Sequence, residues 1–511
     1  MDIFAFVLYF VAMLAIGIYF FFRSKNVTEK DYFLGGRAMG PWVTAMSAQA
    51  SDMSAWLLMG LPGSILAFGF GQAWIGIGLA VGTAANWILV AKRLRKFSKA
   101  SGDAITLPQY LSNRFASKSH AVSIICAVVF LVCFTIYVAS AFVAGADVFT
   151  TLVPELPKST AMIIFATIVV IYTFLGGFNA VCWTDFFQGI LMLAALLIVP
   201  IAVGFTKELD TAALTTIYTG PGGEEFKFVA NFFNASWQDI VSGFGWGLGY
   251  FGMPHIIVRF MAIEKPSMVK KSATVAIIWV VLSLAATIVI AYFGRMFVYS
   301  NGTDLSKVLL SEGKQSLIFV ELARDVFPSF IAGLLLAAII AASMSTADSQ
   351  LLVAASSFSS DLYKPIIRKS ATNKEMLWVS RIIVLIIAIV AFFIASSKGK
   401  AAQAIMDLVS NAWGIFGAAF GPSVLLSLFW KRFTYKGAVC GIVAGALVDM
   451  LWLWLPVSAG LSLTALTGVY EIIPGFIIGG LVAIVVTLLD KAPSKEVVEI
   501  FERATDNSID D

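Results

Sequence analysis

Residues 39–63 read MGPWVTAMSAQASDMSAWLLMGLPG and form an apolar stretch long enough to cross a bilayer. The middle of this stretch nevertheless carries a group of polar side chains: Ser47, Gln49, Ser51, Asp52 and Ser54. A carboxylate and irregular backbone are tolerated at that depth only where protein or water satisfies them. The stretch therefore predicts a broken transmembrane helix that lines a wet cavity. The alternative is an Asp that only hydrogen-bonds a neighbouring helix.

The composition places the chain among polytopic membrane proteins. Of its 511 residues, 59% are hydrophobic and 13% are charged, and the mean hydropathy is +0.88. These values are far too apolar for a water-soluble globular protein. The four cysteines show no paired spacing and there are only two histidines, which argues against a disulfide framework, a zinc site or a haem. We therefore expect an all-α membrane protein without an organic cofactor.

Apolar runs and basic residues together predict the membrane topology. We predict thirteen transmembrane helices, at about residues 3–22, 40–66, 72–92, 120–152, 159–177, 184–204, 237–262, 272–299, 325–360, 377–397, 403–429, 436–455 and 470–489. With the N-terminus outside, most of the 35 Lys and Arg residues fall on one side, which the positive-inside rule makes cytoplasmic. We expect the first run to be retained, in a multi-pass plasma-membrane protein with a cytoplasmic C-terminus.

Several connecting segments are long enough to hold structure of their own. Residues 205–236 and 300–324 contain turn signals and are predicted to be external loops. Residues 103–118 predict a short amphipathic helix on the cytoplasmic surface that starts near Pro108. The polar tail after Lys491 is expected to be too short for a fused signalling domain.

A second interrupted segment, residues 241–259, reads VSGFGWGLGYFGMPHIIVR. Its glycines and Pro254 weaken a helix, although close helix packing is the commoner use of membrane glycines. The stretch at residue 40 runs outwards and this one, five spans later, runs inwards. Broken helices at matching places of two opposed halves predict an inverted-repeat transporter with a midplane site. The predicted divisions are 1–39, a first repeat 40–205, a loop 206–236, a second repeat 237–430, two helices 431–490 and a tail 491–511.

The third polar group lies at residues 341–352, AASMSTADSQLL, within an otherwise apolar span. On a helix, Ala342, Ser345 and Thr346 share one face, so a backbone carbonyl and two hydroxyl groups lie together. Oxygen ligands suit a hard cation. Ser and Thr in membrane helices also bond their own i−4 carbonyl or a neighbouring helix, and that alternative stays open.

Several of these motifs together resemble the sodium/solute symporter family, and within it the carriers of proline. The matching stretches are SDMSAWLLMGLPG, FTIYVAS at 134–140, GWGLGYFGMPH at 245–255, AASMSTADSQLL and YEIIPGF at 470–476. The resemblance implies a leucine-transporter-like fold of two inverted five-helix repeats, with one helix before them and two after. It also implies sodium-coupled uptake of L-proline by alternating access.

The resemblance assigns roles to individual residues. The implied sodium site consists of the carbonyl groups of Ala50, Met53 and Ala342 and the hydroxyl groups of Ser345 and Thr346. The implied substrate site consists of Ser54, Trp56, Tyr137, Trp246 and Tyr250. The implied ion-coupling residues are Asp52, Asp185 and Arg37. Asp185 could equally be a helix N-cap. Asp348 could join Asp185 in a further ion site or simply approach the cytoplasmic end of its helix.

Other functions are weighed against this prediction. A channel should show a repeated pore element or charged rings, and an enzyme should show a nucleophile with a base or a cofactor motif; the sequence has none of these. Sugar, sialic-acid and pantothenate carriers of the same fold remain alternatives. The expected partners are L-proline, sodium and the lipid bilayer, with no nucleic acid and no obligatory protein partner.

Overall fold

The computed structural model describes residues 1–23, 28–206, 208–397, 404–458 and 460–506. Within this part of the chain, ten helices are long and apolar enough to cross a membrane. Two shorter apolar helices, Ala55–Phe68 and Lys158–Phe174, accompany them. The prediction of an all-α polytopic membrane protein is therefore confirmed, while the count of thirteen spans stays a prediction.

The helices of the first half include one long kinked helix and one interrupted pair. In chain order they are α1 (Asp2–Arg23), α2 (Glu29–Leu34), α3 (Pro41–Asp52), α4 (Gly60–Phe68), α5 (Phe70–Ala85), α6 (Lys92–Ala100), α7 (Leu107–Arg114), α8 (Ala121–Leu152) and α9 (Lys158–Thr206). A π-helical turn, Asn86–Ala91, joins α5 to α6. The short helix predicted near Pro108 is confirmed as α7, which Thr106 caps.

The second half contains the other interrupted pair. Its helices are α10 (Trp237–Trp246), α11 (Pro254–Ala262), α12 (Val269–Met296), α13 (Leu305–Ser311), α14 (Ile318–Val326), α15 (Ser329–Ser356), α16 (Asn373–Ser397), α17 (Ala404–Phe429), α18 (Tyr435–Trp454), α19 (Leu463–Thr467), α20 (Ile472–Leu489) and α21 (Lys495–Thr505). Two small antiparallel hairpins pair β1 (Tyr218–Thr219) with β2 (Glu225–Phe226) and β3 (Pro456–Ser458) with β4 (Leu461–Ser462).

The spans predicted at 159–177 and 184–204 follow each other within α9, where the chain kinks at Gly177 with a φ of +62°. The two parts of α9, Lys158–Phe174 and Gly177–Phe205, are both apolar. The tail after Lys491 contains α21, which Ser494 caps. Residues 507–511 of that tail lie outside the described residues.

The two long loops predicted at 205–236 and 300–324 hold short elements of their own, β1, β2 and α13. The first loop is fastened by Arg295 of α12, which is fully buried. Its guanidinium donates to the carbonyl groups of Ala213 (3.0 Å), Thr216 (2.7 Å) and, on α4, Leu66 (3.1 Å). The loop is therefore anchored to α12 and, through Arg295, to α4, the second half of the first interrupted pair.

The centre of the molecule is formed by α15, which packs against α1, α3, α8 and α9. Every residue of α15 from Leu335 to Ser356 is buried, and many of them are Ala or Ser. Small side chains let neighbouring helices approach closely. As a result, the polar face of α15 is enclosed by protein and lies against the end of α3.

Candidate functional site

The first break lies between α3 and α4. Pro41 occupies the first turn of α3, where its fixed φ suits the helix. The helix ends at Asp52, and residues 53–59 continue without α-helical structure. Ser54 in this segment has a φ of +20°, which a residue other than glycine adopts only at an energetic cost. The predicted interruption is confirmed.

Two hydroxyl groups of α15 replace the helical hydrogen bond that is lost at this break. In a continuous helix, the N–H of Ser54 would donate to the carbonyl of Ala50. Instead, Ser54 N–H donates to Thr346 Oγ1 (3.1 Å), and Ala50 O accepts from Ser345 Oγ (2.8 Å). Ser345 Oγ is also 3.1 Å from Ala342 O. Four of the five residues predicted to bind sodium are therefore adjacent.

The fifth predicted sodium residue, Met53, lies in the break itself and is buried. Its carbonyl accepts a hydrogen bond from Leu57 N–H at 3.3 Å. A carbonyl oxygen has two lone pairs, so this single hydrogen bond leaves the second lone pair of Met53 O for another ligand. The structure thus places Met53 next to the other four without assigning it a separate contact to α15.

The second break separates α10 from α11 and faces the first. Residues 247–251 form a 3₁₀ turn, and Pro254 opens α11. Tyr250 in this turn donates from its hydroxyl to Asp52 Oδ2 at 2.6 Å. Tyr137 of α8 donates to the backbone carbonyl of Asp52 at 3.4 Å. The two breaks therefore meet at Asp52, which is 4% exposed.

The glycines of the second break also serve close packing, the alternative considered for them. A Cβ atom on Gly243 would lie 2.6 Å from the backbone of Trp74 in α5, and one on Gly249 would lie 2.0 Å from Trp413 Nε1 in α17. Larger residues would separate these helices. Unwinding and close packing therefore occur in the same segment.

A small cavity lies beside Asp52 and is enclosed by aromatic rings. Trp56 stacks on Trp246 with ring centroids 5.4 Å apart, and Trp246 stacks on Tyr470 at 5.1 Å. Trp413 contacts Tyr250 edge-on at 5.1 Å. The cavity is lined by Asp52, Met53, Trp56, Tyr137, Trp246, Tyr250 and Trp413, with Leu79 and Val409. Four of the five predicted substrate residues line it, and Ser54 does not.

The cavity is small in this conformation. Its volume of ≈ 10 Å³ suffices for about one water. The site must therefore widen before it can hold an amino acid.

Asp185 lies within α9 and pairs with a buried arginine. Arg259 Nη2 is 3.0 Å from Asp185 Oδ2, and both side chains are at most 1% exposed. The same guanidinium donates to Ser47 Oγ of α3 (2.8 Å) and Ser349 Oγ of α15 (2.6 Å). The N-cap alternative for Asp185 is wrong, because α9 continues for many residues on both sides of it.

Asp348 lies in the interior of α15 and not near a helix end, so that alternative is also wrong. Ser349 Oγ donates to its Oδ1 at 3.3 Å. Asp348 Oδ2 and Asp185 Oδ1 have no hydrogen-bond partner among the described residues. One arginine therefore stands beside two buried carboxyl groups.

Comparison with known proteins now identifies the family. The model of the "Sodium:solute symporter family" matches residues 32–445. The chain belongs to the sodium:solute symporter family. The sodium/proline symporter of Salmonella typhimurium is 42% identical over 507 residues, which cover 98% of this chain and 95% of the relative. The high-affinity proline transporter PutP of Bacillus subtilis is 42% identical over 497 residues, covering 96% and 98%.

Solved structures share the fold of this symporter-family chain. A substrate-bound, outward-open Na⁺-coupled sialic acid symporter superposes with a TM-score of 0.75 at 19% identity, covering 96% of this chain and 98% of the other. A nucleobase-cation-symport-1 family transporter in a closed conformation superposes with a TM-score of 0.54 at 14% identity, covering 92% and 98%. The leucine-transporter-like fold predicted from the motifs is confirmed.

The family resemblance assigns Arg37 to ion coupling. Its guanidinium contacts residues other than those assigned to sodium and proline. Its Nε is 2.8 Å from Asp103 Oδ1, its Nη2 is 2.7 Å from Ala104 O, and its Nη1 contacts Met261 O at the end of α11. Burial alone would raise the pKa of Asp103, but the hydrogen bond from Lys30 and the charge of Arg37 lower it overall. Arg37 therefore fastens the loop before α3 to the end of α11.

Three functional candidates do not stand out in the sequence. The position of Arg259 indicates only a topology signal, although the residue is 1% exposed and ion-paired. Tyr470 stands in the motif YEIIPGF, which by itself assigns it no role. Trp413 is one of 13 tryptophans, and no local pattern distinguishes it from those that face lipid.

Proposed function

We propose that this chain carries sodium and L-proline together into the cell by alternating access, and that it is a transporter and not an enzyme. The observation that carries the proposal is the exchange of hydrogen bonds at the first break, where Ser345 and Thr346 replace the helical partners of Ala50 and Ser54. The resulting oxygen cluster adjoins an aromatic cavity at Asp52. Relatives named sodium/proline symporters, 42% identical over nearly the whole chain, support the choice of substrates.

Sodium would bind at this oxygen cluster. The carbonyl groups of Ala50, Met53 and Ala342 and the hydroxyl groups of Ser345 and Thr346 are neutral oxygen ligands, which suit a hard cation. The carbonyl groups of Ala50 and Met53 lie at the C-terminal end of α3 and in the break after it, where partial negative charge accumulates. Asp52 adds a full negative charge nearby. On binding, the cation would replace the proton of the Ser345 hydroxyl as the partner of Ala50 O.

Proline would bind in the aromatic cavity. Its secondary ammonium and pyrrolidine ring suit the faces of Trp56, Trp246 and Tyr250, and the ammonium is also attracted by Asp52. Its carboxylate would be favoured by bound sodium and by the N-terminal end of α4 at Gly60. Because the cavity is too small for proline here, the two breaks would move apart to admit it. Alternating access would open the site to one side of the membrane at a time.

Arg37, Asp185 and Asp348 would couple ion binding to that movement. Arg37 contacts Asp103 and the end of α11, and so fastens the loop before α3 to both. A movement that opens the site beside this loop would break these contacts. Arg259 connects α3, α9 and α15 through Ser47, Asp185 and Ser349. A cation that changes the distance between α3 and α15 would therefore also change the hydrogen bonds of Arg259. Asp348 adds a second buried carboxyl group beside Asp185.

The transport proposal predicts sodium-dependent and voltage-dependent proline uptake. In proteoliposomes, one sodium moving with a zwitterion carries one charge, which gains about 2.3 kcal/mol per 100 mV. That energy corresponds to roughly 50-fold greater accumulation at equilibrium. We expect proline, and not a sugar, sialic acid or pantothenate, to accumulate when sodium is outside and the interior is negative. Unchanged uptake after sodium is replaced by choline would contradict the proposal.

The oxygen cluster predicts a sodium-specific effect of two small substitutions. Ser345→Ala and Thr346→Ala each remove one hydroxyl ligand from a helix that tolerates Ala. A hydrogen-bonding group that acts on a charge contributes about 1.5–3 kcal/mol, so we expect the sodium concentration for half-maximal uptake to rise about tenfold or more. The measurement is initial proline uptake against sodium concentration in each variant.

Ser343→Ala provides the matched control for these variants. Ser343 lies on the same helix and is equally buried, but its hydroxyl donates only to Ile339 O within that helix, at 2.9 Å. Its sodium dependence should equal that of the unmodified protein. If Ser345→Ala and Thr346→Ala lower thermal stability but leave sodium dependence unchanged, the hydroxyl groups only join α15 to α3.

A further inference from the structure

A cleft of about 420 Å³ opens beside α6 and α21, and none of its lining residues lines the cavity at Asp52. Its walls come from the junction of α5 with α6, from the end of α17 and from the end of α21. The residues that matter for its chemistry are Ile88, Leu89, Lys92, Arg93, Lys96 and Phe429. The cleft is thus apolar at one end and basic at the other.

The apolar end belongs to the membrane-spanning part of the molecule. Ile88 and Leu89 lie in the apolar helix Phe70–Ala100 and are 67% and 46% exposed. Phe429, at the end of α17, is 46% exposed. Large apolar side chains exposed on a spanning helix face the acyl chains of the bilayer. The cleft therefore opens towards lipid and not only towards water.

The basic end brings three cations to one face of α6, where Lys92, Arg93 and Lys96 all line the cleft. Lys96 Nζ also donates to Asp506 O at 3.2 Å, so a phosphate there would share or replace that partner. Arg95 points away and donates to the carbonyl groups of Ile263 and Glu264 at 2.6 and 2.9 Å. The guanidinium carbon of Arg93 lies 4.4 Å from the ring centroid of Phe429. Arg93 Nε is buried and has no hydrogen-bond partner among the described residues. This N–H is a donor that a bound anion could satisfy.

The third wall is held firmly in place. Arg114 donates to Val497 O of α21 and to Ser427 O of α17, both at 3.1 Å. Lys431 and Glu502 form an ion pair at 2.5 Å, which also joins α17 to α21. The cleft therefore exists before any ligand arrives, which lowers the ordering cost of binding.

We propose that this cleft binds an anionic phospholipid of the surrounding leaflet. The lipid phosphate would lie among Lys92, Arg93 and Lys96, and its acyl chains would follow Ile88 and Leu89. Basic clefts at the membrane boundary attract anionic headgroups, and Arg forms strong charge-assisted bonds to phosphate oxygens. An apolar wall facing lipid favours a phospholipid over a soluble phosphate. The proposal is independent of the transport proposal.

Lipid binding at this cleft would also support the transport site mechanically. Asn86, in the same π-helical turn as Ile88 and Leu89, donates from its side-chain amide to Tyr250 O at 3.0 Å. Tyr250 in turn bonds Asp52. A lipid that orders this turn therefore acts on the helix that holds one wall of the cavity.

The test measures lipid binding to the full-length purified protein by native mass spectrometry, with phosphatidylglycerol and phosphatidylcholine offered at equal concentrations. We expect a preference of about tenfold or more for phosphatidylglycerol. Arg93→Gln/Lys96→Gln should abolish the preference, and Lys92→Gln/Lys96→Gln, which keeps the Arg93 contact with Phe429, should reduce it. Lys99→Gln/Lys118→Gln is the matched control, since both lysines are exposed and neither lines the cleft.

Each result decides the proposal. An equal preference in Arg93→Gln/Lys96→Gln and the unmodified protein would overturn it, as would an equal loss in the control, which would indicate only general surface charge. Glycerophosphoglycerol, the headgroup without acyl chains, should not displace the lipid. If it or inorganic phosphate binds as tightly, the cleft is an anion site and the lipid assignment is wrong. Thermal unfolding of each variant checks that the substitutions leave the fold intact.

Discussion

Asp52→Asn is expected to lower sodium-driven proline uptake by about 100-fold or more, while Asp52→Glu retains a measurable part of it. The side chain is 4% exposed and accepts a hydrogen bond from Tyr250 at 2.6 Å. No Lys or Arg lines the cavity among the residues that the structure describes. If sodium and the proline ammonium supply the missing positive charge, the amide loses that attraction while keeping the size of the side chain.

The size of the expected effect follows from burial. Removing one member of a buried charge pair costs about 3–5 kcal/mol, and each 1.36 kcal/mol changes a rate tenfold. Glu keeps the charge but is one methylene longer, which overpacks a tight break at a smaller cost. The measurements are initial uptake rate and half-maximal sodium concentration, at equal amounts of protein in the membrane.

Tyr250→Phe separates the charge from the hydrogen bond. This variant removes the donor to Asp52 but leaves the carboxylate and the ring face, so its uptake should fall less than that of Asp52→Asn. If the carboxylate only accepts hydrogen bonds from neighbouring helices, Asp52→Asn should transport faster than Asp52→Glu. Asn can accept the same hydrogen bonds at the same size, whereas Glu is too long for the break. If Asn exceeds Glu in both rate and sodium affinity, Asp52 is architectural.

Both breaks could be predicted from the sequence because each places residues that disfavour a membrane helix inside an apolar span. Polar side chains around Asp52 and the glycines before Pro254 are costly inside a spanning helix unless the helix is interrupted. The shared face of Ser345 and Thr346 also followed from helical spacing. Their partners could not be predicted in this way, since Ala50 at the end of α3 and Ser54 in the break are far from α15 in the sequence. Periodicity shows which face of a helix is polar but not which residues contact that face.

The residues that could not be predicted from the sequence owe their positions in the site to tertiary contacts. Trp413 of α17 lines the cavity, and Tyr470, just before α20, stacks on Trp246. The local sequence around a tryptophan in an apolar span is the same whether the ring faces lipid or a substrate. Arg259 follows an apolar run and is followed by basic residues, so it resembles an ordinary positive-inside residue. Its burial becomes visible only when α9 and α15 are placed beside α11 and supply Asp185 and Ser349.

Arg259→Gln is expected to destabilise the folded protein by about 3–5 kcal/mol, the range found when one partner of a buried ion pair is removed. Asp185 would lose its partner at 3.0 Å, and Ser47 and Ser349 would lose a shared donor. Arg259→Lys should rescue only part of the loss, because a single ammonium cannot reproduce the planar fork that reaches three helices. Thermal unfolding in detergent measures the loss, and proline uptake should fall with it.

A second substitution shows which carboxyl group carries the charge. Arg259→Gln leaves Asp185 and Asp348 without a buried cation, and adding either Asp185→Asn or Asp348→Asn removes one negative charge. Recovery should be greater with Asp185→Asn, because Asp185 is the acid that Arg259 contacts. If both acids are ionised in Arg259→Gln, replacing choline chloride with sodium chloride should raise its unfolding temperature more than that of the unmodified protein. Arg259→Gln that is as stable as the unmodified protein, in either salt, would contradict the prediction, because neither the ion pair nor the hydrogen bonds to α3, α9 and α15 would then stabilise the fold.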